Sequence, residues 1–119
     1  NSIAYTDLVL SKLIEVLQAS DVTDKAFLYV SDHGESLGEK GLYLHGFPYA
    51  LAPEEQTHIP IIFWSNKLAD SNYNQCIELV RSNTFSHDNI FDSLLGLTQV
   101  MSTEYQPEFD IFNACKAPS

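Results

Sequence analysis

An aspartate and a histidine stand side by side one residue after a short apolar run of the sequence. The run covers residues 26–30, and Asp32, His33 and Gly34 follow it almost at once. Ligands of open α/β sheets bind at the carboxyl ends of the strands, and the glycine lets the chain turn there. Carboxylate oxygen and imidazole nitrogen are ligands of zinc, and a tetrahedral site needs two further groups. The pair therefore predicts a metal site, with a purely structural Asp-His pair as the alternative.

The spacing of apolar residues predicts the elements that position this pair. Apolar residues recur at helical spacing and predict an amphipathic helix over residues 3–19, with a stripe of Leu10, Leu13, Ile14 and Leu17. A strand over 26–30 follows, and a second strand is predicted over 59–64, with Pro60 at its start or on an edge. A helix that leads into a buried strand indicates the α/β class.

The remaining segments carry weaker patterns. Residues 34–57 form a long connection rich in glycine, proline and charge, and loops of that length are usually functional. The spacing of apolar residues over 71–81 predicts a loop and then a short helix, with Ile77 and Val80 on its buried face. The tail is irregular, and residues 109–112 predict an edge strand.

A serine, a histidine and an aspartate follow one another at residues 86–88. These are the residue types of a hydrolase triad, but consecutive residues at a helix start point in different directions. We therefore expect Ser86 to be the N-cap of a helix that has Asp88 in its first turn and ends near Thr98. Its apolar stripe is predicted to consist of Phe91, Leu94 and Leu95.

Composition limits the classes of function. The chain of 119 residues supports one modest core, and its net charge of −10 argues against nucleic-acid binding and against adhesion to anionic lipid. Its apolar runs are shorter than the ~20 residues of a membrane span. The two cysteines, Cys76 and Cys115, exclude a thiolate zinc cluster, and their spacing leaves both a disulfide and two free thiols open.

Four stretches of the sequence resemble a known family. They are NSIAYTD at 1–7, SDHGESLGEKGLYLHG at 31–46, APEEQTHIP at 52–60 and SHDN at 86–89. They resemble the lipid A phosphoethanolamine transferases, which include the mobile colistin-resistance proteins and belong to the alkaline phosphatase and sulfatase superfamily. The resemblance implies part of an alkaline-phosphatase/sulfatase-like α/β domain, with a mixed sheet and flanking helices.

The resemblance also implies roles for individual residues. Asp32 and His33 match two ligands of the catalytic zinc ion, and Glu35 and His45 match groups that contact the phosphoethanolamine or a second metal. In this family a threonine hydroxyl attacks the phosphorus of phosphatidylethanolamine, and lipid A then accepts the group. An imidazole such as that of His45 acts as acid or base near neutral pH, and Glu35 could hold the ethanolamine ammonium.

The resemblance further implies that residues 1–119 are the C-terminal fragment of a larger enzyme. The transmembrane region, the nucleophilic threonine and the other zinc ligands would lie outside the fragment, which alone should be inactive. The parent enzyme is expected in the bacterial inner membrane with its catalytic domain in the periplasm, where disulfides persist, so a Cys76–Cys115 bridge is implied. An exposed sheet edge would favour a fragment dimer.

Two alternatives to this interpretation remain open. The first is a sulfatase or a phosphoglycerol transferase built on the same scaffold. The second is a folding or interaction module that has no catalytic activity in isolation.

Overall fold

A computed structural model describes residues 2–38, 41, 43–44, 48 and 51–116 of the chain. The chain divides into two compact units. The first consists of Asn1–Ser20 and Ala26–Trp64, and the second of Asp21–Lys25 and Ser65–Ser119. Among the described residues, no helix combines the length and the apolarity that crossing a membrane requires.

Helix α1, Ser2–Ala19, opens the first unit and confirms the predicted helix. Of the predicted apolar stripe, Leu10, Ile14 and Leu17 are half-buried, whereas Leu13 is exposed. The helix stops where Ser20 turns back, since both its backbone N–H and its hydroxyl donate to the carbonyl oxygen of Leu17.

Strands β1, Ala26–Val30, and β4, Ile61–Ser65, pair in a two-stranded sheet. Strand β1 matches the prediction, but β4 begins two positions later than the predicted start at residue 59. Pro60 lies just before β4 and has no N–H to donate to a neighbouring strand.

The long connection between these strands contains short elements that its composition does not predict. Strands β2, Ser36–Leu37, and β3, Tyr43–Leu44, form an antiparallel hairpin in which Ser36 lies opposite Leu44 and Leu37 opposite Tyr43. Between them Gly38 and Gly41 have φ values of 123° and 77°, which favour glycine. Helix α2, Glu54–Thr57, follows before β4.

The second unit is helical. A 3₁₀ turn, Asn66–Ala69, leads into helix α3, Ser71–Val80, which confirms the predicted short helix. Asp70 caps α3, because its carboxylate accepts the N–H of Tyr73 at 2.9 Å. Ile77 and Val80 are half-buried, as predicted.

Helix α4, Asp88–Thr98, has the predicted end but only part of the predicted buried face. Leu95 is half-buried, but Phe91 and Leu94 are exposed, whereas Asp92 and Ser93 are buried. These polar side chains are buried because they bind the backbone of the tail: Asp92 Oδ1 accepts from Gln106 N at 2.7 Å, and Ser93 Oγ accepts from Ile111 N at 2.9 Å.

The predicted edge strand at 109–112 is wrong. The segment is a turn, in which the N–H groups of Phe109 and Asp110 bind nearby backbone carbonyls and those of Ile111 and Phe112 bind side chains. Besides the bond from Ile111 to Ser93, the N–H of Phe112 donates to Asp110 Oδ1 at 2.8 Å. Ile111 and Phe112 are buried, and they are the buried apolar residues of the part of the chain that the structure describes.

A polar cluster and a disulfide fasten the tail. The buried carboxylate of Asp110 accepts from the Tyr105 hydroxyl at 2.7 Å and from Lys116 Nζ at 2.6 Å. Burial alone would lower the pKa of Lys116, but the bonds to Asp110 and Tyr105 raise it above its ordinary value. The structure also joins Cys76 of α3 to Cys115, whose Cα atoms lie 5.6 Å apart.

Candidate functional site

The Asp32–His33 turn follows directly on β1. The N–H of His33 donates to Asp32 Oδ1 at 3.1 Å, and the Ser31 hydroxyl donates to the carbonyl oxygen of His33 at 2.7 Å. These local bonds hold the backbone in a turn, and both functional side chains reach solvent. The Asp32 side chain is 90% exposed and that of His33 is 47% exposed.

The imidazole of His33 has a defined orientation. Its Nδ1 lies 2.8 Å from the carbonyl oxygen of Gly34. Since a carbonyl only accepts hydrogen bonds, this contact places a proton on Nδ1, and the tautomer that carries it there has its lone pair on Nε2. That nitrogen lies 3.9 Å from Asp32 Oδ2. A backbone carbonyl on one ring nitrogen is the usual partner of a histidine whose other nitrogen binds a metal.

The donor pair fits zinc in its chemistry and nearly in its spacing. Zinc binds nitrogen and oxygen ligands at ~2.0–2.2 Å, so two tetrahedral ligands lie ~3.4 Å apart. The 3.9 Å separation of His33 Nε2 and Asp32 Oδ2 would have to close by about half an ångström, which rotation of the exposed aspartate supplies. Asp32 and His33 thus suit two ligand positions of such a site.

The structure does not bring the other predicted site residues together with Asp32 and His33 within the described part of the chain. Glu35 is exposed on the same loop, and His45 lies outside the described residues. Within the described ranges, no three His, Cys, Asp or Glu side chains gather closely enough to hold a metal ion. His58, after α2, is 80% exposed on its side chain and has Nδ1 3.6 Å from Glu54 Oε1. The ligand pair and the substrate-side roles therefore stay predictions.

Residues of α2 hold the turn in place, and sequence reasoning missed them. The N–H of Gly34 donates to the carbonyl oxygen of Gln56 at 3.1 Å. The two backbones approach so closely that a Cβ at Gly34 would overlap the carbonyl oxygen of Glu55. Gln56 Nε2 donates to the buried hydroxyl of Ser36 at 2.9 Å. The glycine after the histidine was a visible signal, but nothing in the sequence marks Ser36 and Gln56 as buried.

The Ser86-His87-Asp88 stretch has the hydrogen bonds of a helix start. The hydroxyl of Ser86 accepts from Asp88 N and also lies 3.2 Å from Asp88 Oδ2, to which it donates. The N–H of Ser86 donates to Asn89 Oδ1 at 2.9 Å. Although His87 occupies the formal cap position, Ser86 makes the capping bond. These contacts favour the capping interpretation over a triad.

The family model described as sulfatase matches residues 1–100. The chain therefore belongs to the sulfatase family. Phosphoethanolamine transferase EptA of Salmonella typhimurium is 41% identical to it over 121 residues, which cover 98% of this chain and 22% of that protein. The chain thus spans about a fifth of the length of this relative.

Two solved structures are also similar. One is the C-terminal periplasmic domain of phosphoethanolamine transferase EptC from Campylobacter jejuni, with a TM-score of 0.81 and 47% identity over 92% of this chain and 34% of that one. The other is the integral membrane protein lipooligosaccharide phosphoethanolamine transferase A from Neisseria meningitidis, with a TM-score of 0.86 and 42% identity over 96% of this chain and 22% of that one. These matches confirm the predicted fold class and the resemblance to phosphoethanolamine transferases.

Proposed function

We propose that this chain is part of a zinc-dependent enzyme that transfers phosphoethanolamine from phosphatidylethanolamine to lipid A. The orientation of His33 is the observation that carries the proposal, because Nδ1 is held by Gly34 and Nε2 is directed to the side of Asp32. The family membership and the transferases among the similar proteins support the same reaction class.

In this proposal Asp32 and His33 supply two zinc ligands, and the remaining ligands come from outside this sequence. Zinc, when bound, would neutralise negative charge on the phosphoryl oxygens and make the attacking hydroxyl a better nucleophile. The nucleophile is a threonine, also outside this sequence, which carries the phosphoethanolamine before lipid A accepts it.

The exposed loop after His33 binds the substrate. Glu35 is placed on this loop and holds the ethanolamine ammonium by opposite charge. His45 exchanges a proton with the attacking or the leaving oxygen. Because both substrates are lipids of bacterial membranes, the enzyme works at the inner membrane with this domain in the periplasm, in line with its periplasmic and membrane-protein structural relatives.

The test is a transfer assay on the full-length protein that contains this chain. Membranes that contain lipid A are incubated with the wild type and with His33→Ala, and phosphoethanolamine on lipid A is measured by mass spectrometry. His58→Ala is the matched control, since its side chain is exposed and close to Glu54. We expect transfer to collapse in His33→Ala and to persist in His58→Ala.

Two results would contradict this function. The first is full transfer by His33→Ala, which would remove the histidine from the mechanism. The second is a wild-type protein that transfers no phosphoethanolamine and instead hydrolyses a sulfate ester or transfers phosphoglycerol.

A further inference from the structure

The buried side chains of the first unit are unusual in their chemistry. Among its described residues they are Ser36, which is 1% exposed, and Gln56, which is 6% exposed. Both are polar, and burying a polar group is unfavourable unless it is hydrogen-bonded. A polar pair buried in place of apolar residues indicates a specific positional role.

Ser36 and Gln56 connect α2 to the loop that carries the candidate site. The side chain of Gln56 binds the Ser36 hydroxyl, and its carbonyl oxygen binds the N–H of Gly34. One residue of α2 therefore holds the positions on both sides of Glu35. The backbone of Gly34 is held on both sides of its Cα, because its N–H binds Gln56 and its carbonyl oxygen contacts Nδ1 of His33.

We propose that Gln56 and Ser36 are positioning residues that keep the carbonyl of Gly34 aimed at His33 and so fix the orientation of its metal-binding nitrogen. The proposal rests on the proposed function, since it presumes that His33 binds zinc. Partners that orient a metal-binding histidine in this way alter metal affinity or activity by about 10- to 100-fold when removed.

The experiment removes the hydrogen bond between Gln56 and Ser36 in the full-length protein, once by changing each partner. Ser36→Ala deletes the acceptor, and Gln56→Met deletes the donor with little change in volume. Zinc affinity is measured by competition with a chromophoric chelator, and the visible spectrum of the Co²⁺-loaded protein reports the ligand geometry. We expect zinc to bind about 10- to 100-fold more weakly in both variants, with an altered cobalt spectrum.

Ser93→Ala is a matched control. Ser93 is also fully buried, and its hydroxyl bonds Asn89 and Ile111, neither of which belongs to the site loop. The variant should lose stability but keep the zinc affinity and the cobalt spectrum. The activity of Ser36→Ala at limiting zinc should rise as zinc is added, because the weakened site is then filled.

The outcomes separate the two proposals. Unchanged zinc affinity in Ser36→Ala and Gln56→Met, with weak binding in Asp32→Ala, overturns the positioning role and leaves the proposed function standing. Unchanged affinity in Asp32→Ala overturns both. If neither variant folds while Ser93→Ala does, the pair serves general stability and the positioning role is wrong.

Discussion

Substituting Gly34 by alanine should disrupt the site through the backbone alone. The added Cβ would overlap the carbonyl oxygen of Glu55 and would lie 3.1 Å from the carbonyl carbon of Gln56. Since these neighbours are backbone atoms of α2, the loop and the helix must separate. Overpacking of this kind costs about 1 to 3 kcal/mol, and the bond from Gly34 N to Gln56 O is worth about 1 kcal/mol. The expected destabilisation is therefore about 2 to 4 kcal/mol.

The assay combines thermal unfolding with a zinc titration of the full-length protein. We expect the Gly34→Ala variant to bind zinc at least about 10-fold more weakly, because the carbonyl that orients His33 moves. Gly41→Ala is the control, since a Cβ there meets nothing within 4 Å and an alanine at its φ of 77° costs about 1 to 2 kcal/mol without touching a neighbour. The reasoning is refuted if Gly34→Ala keeps wild-type stability and zinc affinity, or if Gly41→Ala is equally damaging.

Three further predictions concern the second unit. Removing the Cys76–Cys115 bridge by Cys115→Ser should lower the free energy of unfolding by about 4 kcal/mol, since the bridge closes a loop with a sequence separation of 39. An unchanged melting temperature would contradict this. Asp110→Ala should cost about 2 to 4 kcal/mol, measured by denaturant unfolding, because it leaves the buried N–H of Phe112 without its acceptor. The raised pKa of Lys116 implies a stabilising contribution that is fully present below its ordinary value of 10.5 and is lost as the pH rises through the raised value. Melting temperatures of the wild type and Lys116→Met should therefore converge at high pH, and a constant difference would count against the Asp110 pairing.

The long periodic elements could be predicted from the sequence. Helix α1, strand β1 and the end of α4 follow from apolar spacing and capping residues. The hairpin β2–β3 could not, because strands of two residues are too short to show an alternating pattern.

Side-chain contacts with distant residues explain the errors. The apolar pattern of residues 109–112 suggests a strand, but Asp110 and Ser93 accept the N–H groups that a strand would offer to a neighbour. The same contacts bury the polar side of α4 and leave Phe91 exposed. The spacing of apolar residues along the sequence does not predict such hydrogen bonds.

The candidate site likewise contains residues that the sequence predicts and residues that it does not. Asp32 and His33 could be selected from their chemistry and their place after an apolar run. The roles of Ser36 and Gln56 depend on a contact across 20 positions of the chain, which only the folded loop reveals. The alternation of apolar and polar residues carries no information about a buried polar pair.

Zinc content of the full-length protein tests the central claim most directly. The protein is purified as wild type, Asp32→Ala, His33→Ala and the control His58→Ala, and metal per folded molecule is measured by mass spectrometry. We predict that zinc is bound by the wild type and by His58→Ala and is lost from the Asp32 and His33 variants. Equal zinc content in all four proteins would contradict the assignment of Asp32 and His33 as metal ligands.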